Sequence, residues 1–360
     1  MHGEMTPTPA VSIVMVVRNE AAVLRKKLRN LLALEYPAES VQLVVVSDGS
    51  TDGTETILRE AARDSRVHVV LNQLSQGKAS GLNDGVGQAR GKVVVFTDAR
   101  QQIEPNALKL LMENFADPQV GAVSGELMLG DAASGEAMRG MGTYWRMEKR
   151  VRGLESDTGS VVGATGALYA VRRELVPEVP TVTILDDVLI PMQVVRQGYR
   201  VIFDGRARAW DVPDLGSKRE FHRKVRTLSG NYQLLRLAPW LLRRENPLRF
   251  EFMSHKLIRL AVPFALLAVL GASCFLPGRF YQVAFWLQIC GCGLSLLGWS
   301  GWKLGPLSRL ADACCTLVVL NMAAVVALAH FVTGHFPWRS GAERVQPAPA
   351  SVTKRKEMRA

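Results

Sequence analysis

Two valine-rich runs that each stop at an aspartate, Val44-Val45-Val46-Ser47-Asp48 and Val93-Val94-Val95-Phe96-Thr97-Asp98, limit what this chain can fold into more than any other feature. A short continuous apolar run closed by turn residues is the pattern of a strand buried on both faces, which belongs to a parallel sheet covered by helices. In open α/β sheets ligands collect outside the carboxyl ends of the strands, where these two carboxylates stand.

The flanking segments alternate accordingly. Val11 to Val17 reads as a first strand, and Glu20 to Leu34 carries Val23, Leu24, Leu28, Leu31 and Leu32 at helical spacing before Pro37. Gly49-Ser50-Thr51-Asp52-Gly53 is a turn rich in capping side chains. A helix from Thr54 to Arg63, a strand from Val67 to Leu71, a helix from Lys78 to Arg90 and the strand ending at Asp98 follow. This order predicts an α/β fold with a parallel-rich sheet and flanking helices.

Behind this half lie three nearly consecutive apolar stretches, Leu257 to Leu276, Phe280 to Trp302 and Ala313 to Val332, each about 20 residues and so able to cross a hydrocarbon core of about 30 Å. Nothing in Met1 to Val17 reads as a secretory signal, so the α/β half is expected on the cytosolic side of an inner or plasma membrane, in a multi-pass protein. Three crossings would carry the tail outward, whereas Arg339, Arg344, Lys354, Arg355, Lys356 and Arg359 would hold it inside. The number of crossings and the side of the tail stay open. The chain thus divides into a disordered start at 1–10, an α/β domain at 11–216, a basic interfacial segment at 217–256, membrane helices at 257–333 and a basic tail at 334–360.

The formal net charge is +11, and its basic residues crowd the approach to the first apolar stretch (Lys218, Arg219, Arg223, Lys224, Arg226, Arg236, then Arg243 to Arg259). Anionic headgroups of a bilayer attract such a cluster. Tyr232 to Leu242, with Leu234, Leu235, Trp240 and Leu241, is expected as an amphipathic helix in the interface. No nucleic-acid partner is expected, since no aromatic-interleaved basic patch accompanies the charge. All five cysteines lie at Cys274 or beyond, which excludes a disulfide framework or zinc site from the α/β half.

An aspartate after the second strand can accept hydrogen bonds from a nucleoside, though an Asp-Gly-Ser turn also serves as a cap, and Asp48 is open to both readings. No GxGxxG follows the first strand and no P-loop occurs, which removes the support for dehydrogenases and P-loop ATPases. Asp98 suits Mg2+ or Mn2+, ions that bind through one or two carboxylates plus substrate phosphates and keep several waters. Lys78 and Arg100 are spaced to add positive charge near a diphosphate, or else are solvated surface charges.

Taken together the motifs resemble the family 2 glycosyltransferases, inverting enzymes of the GT-A fold, over residues 10 to 230, with a membrane tail similar to that of their polysaccharide-synthase branch. The carrying segments are Val17-Arg18-Asn19-Glu20, Ser47-Asp48-Gly49-Ser50-Thr51-Asp52-Gly53-Thr54, Gly77-Lys78-Ala79 with Asn83, Thr97-Asp98-Ala99-Arg100, Gly163 to Tyr169 and Leu185-Asp186-Asp187. The resemblance implies that Arg18, Asn19, Glu20, Asp48 and Ser50 line a nucleotide pocket, with Asp48 near the base, and that Lys78, Asn83 and Arg100 complete the donor site. Asp98 matches the first aspartate of the DxD metal motif, and Arg100 stands where the second would be. Gly163, Ala164, Thr165 and Gly166 resemble the small-residue loop on which the acceptor rests, with Arg172 placed to close it.

Asp187 resembles the catalytic base, which takes the proton of an acceptor hydroxyl as it attacks the anomeric carbon in a single displacement. Asp186 would ligate, orient or cap the helix that begins there. In the segment where processive members carry QxxRW, only Arg226 matches; Arg223 stands for the glutamine and Thr227 for the tryptophan. A stacking face would then come from Tyr144, Trp145 or Trp210, although core packing is the first role expected of each. The implied function is transfer from a nucleotide-diphosphate sugar, a UDP-sugar favoured, to a glycan or lipid-linked acceptor in cell-surface or extracellular polysaccharide synthesis, with partner subunits of an assembly system in reach. Two other classes stay open: transfer of one sugar to a polyprenyl phosphate, and a nucleotide-binding membrane scaffold without turnover.

Overall fold

A computed structural model describes residues 10–131, 136–137, 142–212, 217–300, 305 and 307–334, with side chains at 10–130, 147–212, 221–300, 305 and 307–334. The expected disorder of the start and the basic tail, Trp302, and the side chains of Tyr144, Trp145, Lys218 and Arg219 lie outside the described residues.

Nine strands are described: β1 Val11–Val17, β2 Val41–Asp48, β3 Val67–Asn72, β4 Val93–Phe96, β5 Gln102–Ile103, β6 Val120–Asp131, β7 Glu136–Ala137, β8 Tyr169–Arg172 and β9 Arg200–Asp211. Six helices accompany them: α1 Ala21–Leu32, α2 Thr54–Ala61, α3 Lys78–Gln88, α4 Ala107–Glu113, α5 Gly142–Thr158 and α6 Asp186–Arg196. The sheet runs β3-β2-β1-β4-β8-β6-β9-β5, with β7 paired to β6. Pairing is parallel from β3 to β4 and again between β6 and β9, while β8 is antiparallel to both of its neighbours. The parallel block is the part legible in the valine runs; the antiparallel strand sits where the alternation of strand and helix lapses.

Period-two alternation sends the two sides of β1 to different cores. Ile13 and Met15 pack with Leu24, Leu28 and Leu31 of α1, whereas Val14 meets Val44, Leu82 and Phe96 on the α3 side. Helix α3 lies close on that second face through Gly81 and Gly85: a Cβ on Gly85 would stand 2.5 Å from Val14 Cγ1, and one on Gly81 2.7 Å from Val16 Cγ1. This close seat fixes the height at which Lys78, the first residue of α3, meets the carboxyl edge of the sheet.

Beyond β9 the chain is helical: α7 Ser217–Leu237, α8 Arg249–Phe252, α9 Ile258–Phe275, α10 Arg279–Ser300 and α11 Leu307–Thr333. Three helices, Arg249–Phe275, Arg279–Ser300 and Leu307–Thr333, are long and apolar enough to cross a membrane. They carry exposed Phe275, Phe280, Trp286, Leu287 and Trp299, an outer surface that hydrocarbon would cover. Tyr232 to Leu242 departs from expectation. Helix α7 stops at Leu237, a short 3-10 turn spans Pro239–Leu242, and Leu234, Trp240 and Leu241 are buried in the core that α6 lines. Their apolar face is taken up by protein, so it is not an interfacial helix. Val225 and Leu228 of α7 pack on Leu260, Ala323, Ala324 and Ala327, and Tyr232 stacks on Phe331 with centroids 5.7 Å apart.

Candidate active site

Four chain segments meet at the carboxyl edge of β1, β2 and β4. Asp48 closes β2 and is buried, and its carboxylate accepts from Ser75 Oγ (2.8 Å), Gln76 N (2.7 Å) and Gly77 N (3.0 Å). A carboxylate offers about four lone-pair sites, so Asp48 keeps about one for a ligand and spends the rest on the loop that delivers Lys78. Gly49 makes this approach possible. Its φ is +62°, and a Cβ there would lie 2.5 Å from Ser75 N and 2.9 Å from Leu74 C, both backbone. Gly49→Ala is therefore expected to cost about 2–4 kcal/mol and to lower nucleoside diphosphate binding by parting the two loops, measurable as a fall in melting temperature and a raised Kd.

Asn19, the one described non-glycine residue with positive φ (54°), accepts from Thr51 N at 2.7 Å, and its own amide donates to Ser50 Oγ at 3.2 Å. Glu20 donates through its amide to Thr54 Oγ1 and holds Arg100 Nε at 3.4 Å through its carboxylate. Arg18 is exposed beside them. The expected donor residues of the first two loops thus stand together. Asn83 does not join them: its carboxamide is paired in both directions with the backbone of Val179, at 2.8 and 2.9 Å, tying α3 to the segment before α6.

Lys78 is the hub of the second group. Its Nζ lies 3.0 Å from Asp98 Oδ1 and 3.3 Å from Asp186 Oδ2. Burial works against the ammonium, but Asp186, Asp98 and Asp187 outweigh it and hold the pKa above the ordinary lysine value. Asp186 is buried, and its Oδ2 has no hydrogen-bond partner beyond that ion pair. Asp187 opens α6 beside it; burial first and Asp186 second raise its pKa to about 6, against Lys78 and Lys256. Its backbone carbonyl accepts from Ala164 N at 2.7 Å, Thr165 N donates to Ser124 Oγ, and Gly163 (φ +85°) turns the loop past Val188. A Cβ on Gly166 would stand 3.4 Å from Asp187 Oδ2 and 3.7 Å from Asp98 Oδ2. Gly166 therefore turns a bare edge to both carboxylates, and a ligand can approach them there without a side chain in the way. Among the described residues no three acidic, histidine or cysteine side chains form a metal cage. A Mg2+ or Mn2+ site here fits the one-carboxylate kind, with Asp98 as ligand and substrate phosphates supplying others.

On the far side of Asp187 a cavity of about 160 Å³ is lined by Ala164, Thr165, Phe203, Glu126, Lys149 and Arg152. Glu126 is held by Lys149 (2.8 Å) and Arg208 (3.5 Å), and the Arg152 guanidinium lies over Phe203. Ala164 and Thr165 belong to the expected acceptor loop, whereas Glu126, Lys149, Arg152, Phe203 and Arg208 carry no local motif and escape sequence reasoning. Arg226 is exposed on α7, and among the described residues no ion pair joins it to the carboxylates. Arg172 does not close the acceptor loop; it donates to the carbonyls of Val120, Phe115 and Asp117 and covers the Phe115 ring. Trp210 is buried, with its indole N–H on Glu104, as core packing requires.

A mixed sheet of this order, with carboxylates gathered where the parallel strands end, defines a GT-A-like α/β domain followed by C-terminal apolar helices. Residues 12–179 match the family described as Glycosyl transferase family 2. It is 26% identical over 231 residues to the poly-beta-1,6-N-acetyl-D-glucosamine synthase of Staphylococcus aureus (strain COL), covering 62% of this chain and 55% of that one. Against the synthase of the same name from Staphylococcus epidermidis it is 24% identical over 244 residues, covering 67% and 59%. The chain therefore spans little more than half the length of these relatives. Among solved structures, a mannosyltransferase of Pyrobaculum calidifontis in complex with GDP-Man and Mn2+ superposes with a TM-score of 0.69 at 23% identity, covering 92% of this chain and 89% of that one, which establishes the shared fold.

Proposed function

We infer that this protein is a membrane-anchored, inverting glycosyltransferase that moves a sugar from a nucleotide-diphosphate sugar to a growing cell-surface or extracellular polysaccharide, its active half on the cytosolic side. The observation that carries the reading is the cluster of Lys78 with Asp98 and Asp186, next to Asp187 and facing the side-chain-free edge of Gly166, within a family 2 domain. A UDP-sugar is the favoured donor, and N-acetylglucosamine is the first sugar to try because the relatives are named for its polymer.

The residues divide the work by position. The Arg18 to Glu20 and Asp48 to Ser50 loops hold the nucleoside, with the free lone pair of Asp48 toward the base. Lys78 and Arg100 face the diphosphate and balance its charge. Asp98 would hold Mg2+ or Mn2+, which when bound supplies further positive charge to the leaving diphosphate. The Gly163 to Gly166 loop lets the acceptor approach Asp187 without a side chain in the way. Asp187 takes the proton of the attacking hydroxyl, and its raised pKa keeps it basic enough to do so while still ionised near neutrality. Asp186 keeps Lys78 in place from within the core.

Detergent-purified protein offered a panel of nucleotide sugars, with and without Mn2+ or Mg2+, tests this by release of nucleoside diphosphate. Metal-dependent release from one donor is the expected result. Nucleotide binding without release from any donor, in the presence of oligosaccharide acceptors, would instead favour a scaffold.

A further inference from the structure

Helix α1 contains a lysine that is 0% exposed. Lys27 points under the loop that joins β4 to β5, and its Nζ donates to Thr97 Oγ1 at 2.9 Å and to the Gln101 carbonyl at 2.6 Å. Those two residues are the ends of the five-residue loop that presents Asp98 and Arg100. One turn further along, Asn30 pairs in both directions with the backbone of Ile103 at 2.8 Å. Thr97 in turn donates to the Ala167 carbonyl at 2.8 Å, next to Gly166. Among the described residues no carboxylate lies within ion-pair distance of Lys27. A fully buried amine without such a partner is unfavourable, and burial accordingly pushes its pKa down to about 7, with Asp98 acting in the opposite direction. Its two acceptors are the two ends of one loop, so the amine ties that loop to α1 at a single buried point.

We propose that Lys27 is a positioning residue for Asp98, fastening both ends of the 97–101 loop so that the carboxylate is held between Lys78 and the donor diphosphate. The clamp also carries Ala167 through Thr97, so one buried amine sets the spacing of the donor side and the acceptor loop. This rests on the reading of Asp98 as the residue that meets the metal and diphosphate, and outer groups that orient such a ligand commonly govern its affinity.

The test uses the full chain in detergent, with Lys27→Met and, as a milder change that leaves the lysine in place, Thr97→Val. Hydrogen exchange of the 97–101 backbone reads the clamp directly, and free Mn2+ measured by paramagnetic resonance in the presence of UDP reads the consequence. In Lys27→Met the loop is expected to exchange faster while the rest of the sheet does not, and Mn2+ affinity is expected to fall about tenfold with metal-free UDP affinity unchanged. Thr97→Val should move both readouts in the same direction by less, and it decides the matter if Lys27→Met does not fold. Wild-type exchange at 97–101 in the variants, or faster exchange spread evenly over α1 and the sheet, would overturn the proposal. If the wild-type chain binds UDP but takes up no Mn2+, the metal reading of Asp98 fails separately, and loop exchange alone judges the clamp.

Discussion

Asp187→Asn is expected to slow transfer by about 10²–10⁴-fold while nucleoside diphosphate binds as before. The substitution removes the proton acceptor and little else. The tie between α6 and the acceptor loop runs through the backbone carbonyl of residue 187, which donates nothing to the reaction and is kept by asparagine. The carboxylate form is the active one and its pKa is raised to about 6, so kcat/KM of the wild type should be level above that value and fall with each unit of pH below it. Ions at Asp98 would lower the midpoint by adding positive charge nearby. The residual rate of the asparagine variant should lack this acid limb. A variant with wild-type kcat, or one that keeps the limb, would remove Asp187 from the role.

The second large effect is expected from Lys78→Met. Lys78 is the cation that Asp98, Asp186 and Asp187 share, and its loss leaves Asp186 buried with an oxygen that has no other partner. Breaking a buried pair from one side costs about 3–5 kcal/mol. The loss should show as a lower midpoint of thermal unfolding. Lys78→Met combined with Asp186→Asn should regain much of the stability and none of the activity, a coupling that a double-mutant cycle measures directly. Lys78 also opposes the rise in the pKa of Asp187, so the acid limb of any residual activity should move to higher pH. Additive stability losses in the cycle would contradict the shared-cation account.

Much of the parallel half could be read from sequence because one physical rule applied at each step. Val11–Val17 and Val41–Asp48 are continuous apolar runs because both faces of the sheet are covered, and their ends mark the site edge. Asp98 and Asp187 stand out by motif, and the structure turns an oxygen of each toward the bare edge of Gly166. What escaped was decided by long-range packing. Asn83 belongs to a matching motif, but its amide is spent on Val179, ninety-six residues away. The apolar side of Tyr232 to Leu242 looked like a lipid-facing stripe, since amphipathicity says that a face is covered but not by what. Lys27 did leave a trace. It falls three residues after Leu24 and four before Leu31, on the buried stripe of α1, where a lysine breaks the pattern.

The packing of α7 against α11 also bears on how the protein is made. Polypeptides leave the ribosome amino end first, and domains generally fold as they emerge. Yet Val225, Leu228 and Tyr232 find much of their cover on Ala323, Ala324, Ala327 and Phe331, which are synthesised only after the two apolar helices α9 and α10. A nascent chain halted before Leu307 therefore displays a half-covered hydrophobic strip beside a finished sheet. Completion of the α/β half thus depends on the last apolar helix, and the two parts of the chain are finished together.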